Sequence, residues 1–200
     1  MNPNILAIHG SPRRQGNTST LLKRAVEGAM SMGANVEEIT LRDLKMSPCL
    51  EIYGCKEQGR CVIRDDFQMV YDKLIKCDGL MLASPIFFYT VSAHTKIFMD
   101  RCQSLWVKKY WLASETAAAP NFENNPKKAL FISVGATRGK KLFEGTLLTV
   151  RYFLDTLDMQ LWRSLLYRGL DGAGEVLGFP EYLDEAYNSG ADLCRALKQK

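Results

Sequence analysis

Apolar residues fall along this chain in two alternating patterns. Short apolar runs at Ile5 to Ile8, Asn35 to Leu41, Asp78 to Ala83, Lys128 to Val134 and Gln160 to Tyr167 read as strands. Between them, apolar positions return every three or four residues, which is the helical period. Leu21, Leu22, Ala25 and Val26 mark a first helix ending near Met32, and Phe67, Val70, Tyr71 and Leu74 a second one ending near Lys76. Asp65 and Asp66 open that second helix, where negative charge suits the positive end of the dipole. Further helices are predicted over Ser92 to Leu105, Leu142 to Asp158 and Glu181 to Lys198. The period is lost over Arg42 to Arg64 and again from Trp106 to Pro126.

Strands alternating with helices imply a parallel sheet with right-handed crossovers and helices on both faces. The run at 78–83 has no polar alternation, as expected of a strand covered on both sides. The predicted fold is an α/β, flavodoxin-like three-layer sandwich with strand order 2-1-3-4-5, built as one domain over 1–200. In such sheets ligands bind beyond the carboxyl ends of the strands. That placement brings together the loops at Ser11 to Ser19, Ser84 to Tyr89 and Gly135 to Lys141.

The first of these loops carries the sharpest chemistry. Gly10-Ser11-Pro12-Arg13-Arg14-Gln15-Gly16-Asn17-Thr18-Ser19 joins a buried strand to a helix start. Unpaired N–H groups there, with Ser11, Asn17, Thr18 and Ser19 as side-chain donors and Arg13 or Arg14 as a cation, suit a phosphate dianion. A triphosphate loop needs G-x-x-x-x-G-K-[ST], but five residues separate Gly10 from Gly16 and Asn17 stands in place of the lysine. The dinucleotide fingerprint G-x-G-x-x-G is absent too. A single phosphate remains, and the tail of FMN fits it. The competing reading is an ordinary strand-to-helix turn with Asn17 or Thr18 as N-cap.

Composition narrows the classes. The 200 residues are 46% hydrophobic and carry a net charge of +4, with basic and acidic residues interleaved and no long basic run, which argues against nucleic acid. The most apolar window, 79–93, is broken by Ser84 and Pro85 and is too short to span a bilayer. No signal-peptide pattern opens the chain, so it reads as soluble and cytoplasmic, away from membranes. Six cysteines in that setting point to free thiols or a metal site before disulfides.

In the second loop, Pro85 stiffens the turn while Ile86, Phe87, Phe88 and Tyr89 supply the apolar surface an isoalloxazine ring needs. Core packing at a strand end is the alternative for Phe87 and Phe88. Gly135 and Thr137 begin the third loop, which closes the slot from the other side. Its Arg138, Lys140 and Lys141 either attract the phosphates of a nicotinamide nucleotide or form a solvated basic rim. No Ser-His-Asp set, no G-x-S-x-G and no H-E-x-x-H appears, so the protein itself offers no catalytic residue and a cofactor would carry the chemistry.

G-S-P-R-x-x-G-N-T-S at 10–19, C-V-I-R-D-D at 61–66 and S-P-I-F-F-Y-T-V-S-A-x-x-K-x-F-x-D-R at 84–101 resemble the NADPH-dependent FMN reductase superfamily, and within it the iron-sulfur flavoprotein branch. The resemblance implies a flavodoxin-like fold, bound FMN, and reduction by NAD(P)H or ferredoxin. It also implies a homodimer or tetramer with flavins near the subunit interface. Carried over, Ser11, Arg13, Asn17, Thr18 and Ser19 hold the phosphate, and Pro85 to Tyr89 the ring. The branch also places a [4Fe-4S] cluster on C-x2-C-x2-C plus a fourth cysteine. Here Cys49, Cys55 and Cys61 occupy the first, third and fourth positions and Ile52 the second, so an intact cluster is not expected. The three thiols then read as a relict loop over the flavin or against a partner subunit. Neither His9 nor His94 has zinc-ligand spacing to them.

The sequence thus predicts an FMN-dependent oxidoreductase passing electrons from NAD(P)H to a flavin, quinone or other small acceptor. The alternatives are an electron carrier exchanging with ferredoxin and a thiol-based redox sensor. The segment 106–126, with Trp106, Tyr110, Trp111 and Phe122, is expected either to pack on a partner subunit or to fold back as a lid, roofing the flavin.

Overall fold

The computed structural model describes residues 2–112 and 127–199. Five strands, β1 (Asn4–His9), β2 (Asn35–Thr40), β3 (Gly79–Ala83), β4 (Lys127–Gly135) and β5 (Met159–Arg168), form one sheet in the order 2-1-3-4-5. Every pairing in it is parallel. The flavodoxin-like order expected from the alternation of patterns is therefore the observed one.

Successive side chains of a strand point to opposite faces, and the central strands bury both. Ile5, Ala7, Met81, Ala83, Leu130 and Ile132 face a layer made by helices α1 (Asn17–Ser31) and α5 (Pro180–Lys198). Leu6, Ile8, Leu80, Leu82 and Phe131 face the opposite layer, where α2 (Phe67–Lys76), α3 (Ala93–Arg101) and α4 (Glu144–Thr156) contribute Phe67, Leu74, Phe98 and Phe153. Each fully buried aliphatic or aromatic side chain contributes roughly 1.5–3 kcal/mol, so the two cores are what hold the strand ends in place.

In the first layer the helices touch backbone to backbone. A Cβ on Gly190 would stand 1.8 Å from the Ala25 carbonyl oxygen, and one on Gly28 would stand 1.9 Å from that of Tyr187. Two glycines facing each other's helices let α5 lie directly on α1.

One boundary differs from expectation. Helical structure does not stop at Leu105 but continues through a turn at Gln103–Trp106 into the π-helical stretch Val107–Leu112. A π-turn closes i→i+5 bonds, so its apolar side chains do not recur at the α-helical interval that a sequence scan looks for. The rest of the segment expected to form a lid or partner contact, including Phe122, lies outside the described residues.

Candidate functional site

Three of the loops that leave the carboxyl ends of β1, β3 and β4 meet at one edge of the sheet, as the topology requires, and a fourth, after β5, joins them. Main-chain bonds splice them together: the Gly10 N–H donates to the Ala83 carbonyl at 2.7 Å and the Ile86 N–H to that of Val134 at 2.9 Å. Gly10 sits under α3, where an added Cβ would stand 2.0 Å from Thr95 Oγ1. Ser92 caps α3 by accepting the Thr95 N–H, and its hydroxyl donates to the Gly10 carbonyl. The start of α3 thereby fixes the start of the first loop.

That loop folds on itself around Arg13. Ser11 Oγ accepts the Arg13 N–H at 3.0 Å, and Ser19 Oγ donates to the Arg13 carbonyl at 3.2 Å. Helix α1 then begins after Gly16 with no side chain capping it, which leaves its first-turn N–H groups facing the cleft. A Cβ at Gly16 would come within 2.9 Å of Ser11 Oγ, filling that cradle. Neither Asn17 nor Thr18 is the cap. Asn17 instead ties the loop to the segment after β5, its Nδ2 donating to the Gly172 carbonyl at 2.9 Å and its Oδ1 accepting the Val176 N–H at 3.1 Å. The exposed Arg13 reaches the same segment through the Asp171 carbonyl at 2.8 Å. Ser11, Arg13, Asn17 and Thr18 line one open cleft with Pro85, Ile86 and Phe87, with a cavity volume of about 190 Å³. Ligand pockets commonly hold ~300–1,000 Å³, so this cleft suits the tail of a ligand whose larger part lies across the rim.

The rim is the second loop. Phe87 and Thr90 exchange N–H···O bonds at 3.0 Å, closing a two-residue turn with Phe88 and Tyr89 at φ 47° and 61°. Both central residues of such a turn need positive φ, which Asn and Gly adopt readily and bulky side chains resist. The strain is held by neighbours: Thr146 Oγ1 donates to the Tyr89 carbonyl at 3.2 Å. Phe88 is 99% exposed as a result, so it is not a core residue, and neither it nor Tyr89 lines the cleft. Gly135 is buried against Leu142 and Ile86, whereas Thr137 is exposed. The third loop is tied to the end of β5: Arg168 donates to the Gly139 and Lys140 carbonyls at 3.3 Å each, and the Arg138 guanidinium packs on Gly169.

Sequence reasoning missed the segment after β5, where Leu170 and Asp171 line the cleft. Its signal was present: Gly169 and Gly174 both adopt positive φ, and three glycines within six residues, 169–174, mark a loop that bends sharply.

Below this edge, at the far end of α3, lies a second feature. Arg101 is completely buried and grips Asp65 through two bonds of 2.6 and 3.0 Å. It also donates to the Ser47 and Ile63 carbonyls and, at 3.2 Å, to Cys61 Sγ. Burial alone would raise the Asp65 carboxyl, but the Arg101 bonds, with the Ser47 and Phe67 N–H groups, outweigh it and hold the group below the usual carboxylate range. Cys49, Cys55 and Cys61 line a separate cavity of about 660 Å³ with Ile52, Trp106 and Trp111. Among the described residues, no group of three or more His, Cys, Asp or Glu is placed to hold a metal ion. Ile52, which lines the same cavity, carries no atom that could ligate iron, so this stretch presents three thiols. His94 is half-buried on α3, and His9 Nε2 lies 2.7 Å from Glu38 Oε2 at the ends of β1 and β2.

Among solved structures, the fold is similar to a flavone reductase, with TM-score 0.72 and 23% identity over 98% of this chain and 63% of that one. It is also similar to the NAD(P)H:quinone oxidoreductase from Methanothermobacter marburgensis, with TM-score 0.69 and 15% identity over 96% of each. By sequence, an iron-sulfur flavoprotein of Methanocaldococcus jannaschii is 40% identical over 101 residues, which is 50% of this chain and 52% of that protein. One of Methanosarcina thermophila is 30% identical over 115 residues, 58% and 60% respectively. The matches thus span little more than half the length of these relatives. Among the described residues no helix is long and apolar enough to cross a membrane. The family model for NADPH-dependent FMN reductases matches residues 3–161, and the chain belongs to that family.

Proposed function

We propose that this chain is an FMN-dependent oxidoreductase that takes electrons from NAD(P)H and passes them to a small acceptor such as a flavin or quinone. FMN is implied by the family. The observation that carries the reading is the uncapped start of α1 facing the cleft, with Ser11 and Thr18 beside it and the Gly16 cradle left open. A phosphate dianion satisfies those donors and meets the positive end of the helix dipole, while a Cβ at Gly16 would crowd it out.

FMN, when bound, supplies hydride acceptance and one- or two-electron release. The protein's part is placement. Ser11, the first-turn N–H groups of α1 and Arg13 hold the phosphate; Asn17 keeps that loop against the segment after β5. Pro85 to Phe87 offer apolar surface and main-chain groups to the ring, and the turn at 87–90 sets the outer limit of the slot. Arg138, Arg168, Lys140 and Lys141 make the rim positive, which attracts the phosphates of a nicotinamide nucleotide and orients it over the slot. A homodimer or tetramer would bring further surface over the exposed ring of Phe88.

The test is titration with FMN followed by aerobic NADPH oxidation with free FMN, quinone or ferricyanide. Stoichiometric binding and turnover are expected. A protein that takes up no FMN overturns the reading. One that binds FMN but oxidises no NAD(P)H and exchanges electrons with ferredoxin is the carrier instead.

A further inference from the structure

The cavity at the far end of α3 gathers three thiols that the flavin site does not use, and they are not alike. Among the described cysteines, Cys61 is the one whose sulfur accepts a hydrogen bond from a guanidinium, that of the buried Arg101, at 3.2 Å. Arg101 cannot turn away, because Asp65 and two main-chain carbonyls fix its other donors. The fixed guanidinium orients this half-buried sulfur and faces the charge that builds on it during nucleophilic attack. Cys55 stands in the opposite condition: burial pushes its thiol up, and Cys61 and Cys49 nearby add to that.

The backbone brings the two together. Gly54 packs directly on Val62, with an added Cβ only 2.6 Å from Val62 Cγ1, so the residues just inside that contact, Cys55 and Cys61, close the two ends of one short loop. A single helical turn, Cys55–Gln58, and Gly59 in the left-handed conformation fold the loop back. The cavity beside them, about 660 Å³, is the size of a small-molecule site and has apolar walls in Trp106 and Trp111. By contrast Cys77 is pushed up to about 11 and Cys102 higher still, chiefly by burial.

We propose that Cys61 and Cys55 form a thiol–disulfide exchange site for a low-molecular-weight disulfide bound in this cavity. The Cys61 thiolate attacks one sulfur of the small disulfide, forming a mixed disulfide and releasing the first thiolate. Cys55 then attacks Cys61 Sγ, closing the Cys55–Cys61 bond and expelling the second thiolate, which takes up the Cys55 proton. Two electrons pass from the cysteine pair to the small disulfide, and no metal or flavin takes part.

The test uses 5,5′-dithiobis(2-nitrobenzoate) as the small disulfide, on the intact chain, with peptide mass spectrometry of the product. The expected result is a fast phase releasing two thionitrobenzoates per chain and leaving a Cys55–Cys61 bond. Cys61→Ser loses the fast phase, Cys55→Ser releases one equivalent and retains the adduct on Cys61, and Cys49→Ser behaves as the parent; thermal melting confirms that each variant is folded. A fast phase that survives Cys61→Ser, first modification at Cys49, or no Cys55–Cys61 product overturns the proposal. So does anaerobic reconstitution that loads stoichiometric iron and sulfide onto these cysteines.

Discussion

Replacing Asp65 by Asn tests the electrostatic centre of the second core layer. The carboxylate meets Arg101 at 2.6 and 3.0 Å, and the Arg101 side chain is 0% exposed. A guanidinium does not give up its proton, so in Asp65→Asn the positive charge stays buried with only carbonyls and a sulfur as partners. Breaking a buried pair from one side costs about 3–5 kcal/mol. For a chain of this length each kcal/mol lowers Tm by roughly 2–4 °C, so the variant should melt about 6–20 °C lower. Sign and pH dependence follow from the depressed carboxyl. The stability it contributes is fully present above the ordinary carboxylate pKa and is lost as pH falls through the lower folded value. Acid titration below about pH 4 should therefore narrow the gap between parent and variant. Urea melts at pH 7 and at pH 3 read both effects. A variant within ~1 kcal/mol of the parent at pH 7 would refute the argument, because the Coulomb and desolvation terms could not then be of the stated size.

Gly190→Ala should lower stability by about 2 kcal/mol in denaturant melts: overpacking against the Ala25 carbonyl costs up to ~3 kcal/mol, offset by about 1 from the helix propensity of Ala over Gly. Phe88→Gly should raise the melting temperature, because relief of a positive φ is worth about 1–2 kcal/mol and the added chain entropy of Gly removes only part of it. Arg138→Ala should raise the KM for NADPH several-fold with little change in kcat; an unchanged KM would remove that residue from nicotinamide binding.

The strand and helix order was legible because burial on two faces leaves a period the eye can count, from Ile5 to Ile8 and from Leu80 to Leu82. That the first loop would leave an uncapped helix start beside a cleft was legible because glycine and hydroxyl residues cluster at that strand-to-helix turn. What the sequence could not give was direction. Asn17 belongs to the right loop, but only the fold places its side chain across to Gly172 and Val176. Phe87 to Tyr89 read as apolar surface, whereas the turn that thrusts Phe88 into solvent depends on a strained backbone that no residue preference announces. The pairing of Asp65 with Arg101 was hidden in plain view: each sits in one of the stretches that resemble the family, thirty-six residues apart in sequence and in contact in space.

The helix α3 is clamped at both tips, by Ser92 and Thr95 on Gly10 at one and by Arg101 at the other. Nine residues make a strut roughly 14 Å long, too short and too well packed to bend. The cysteine loop at one tip and the mouth of the cleft at the other are thus joined by one short rod, so a displacement at either end has a direct route to the other.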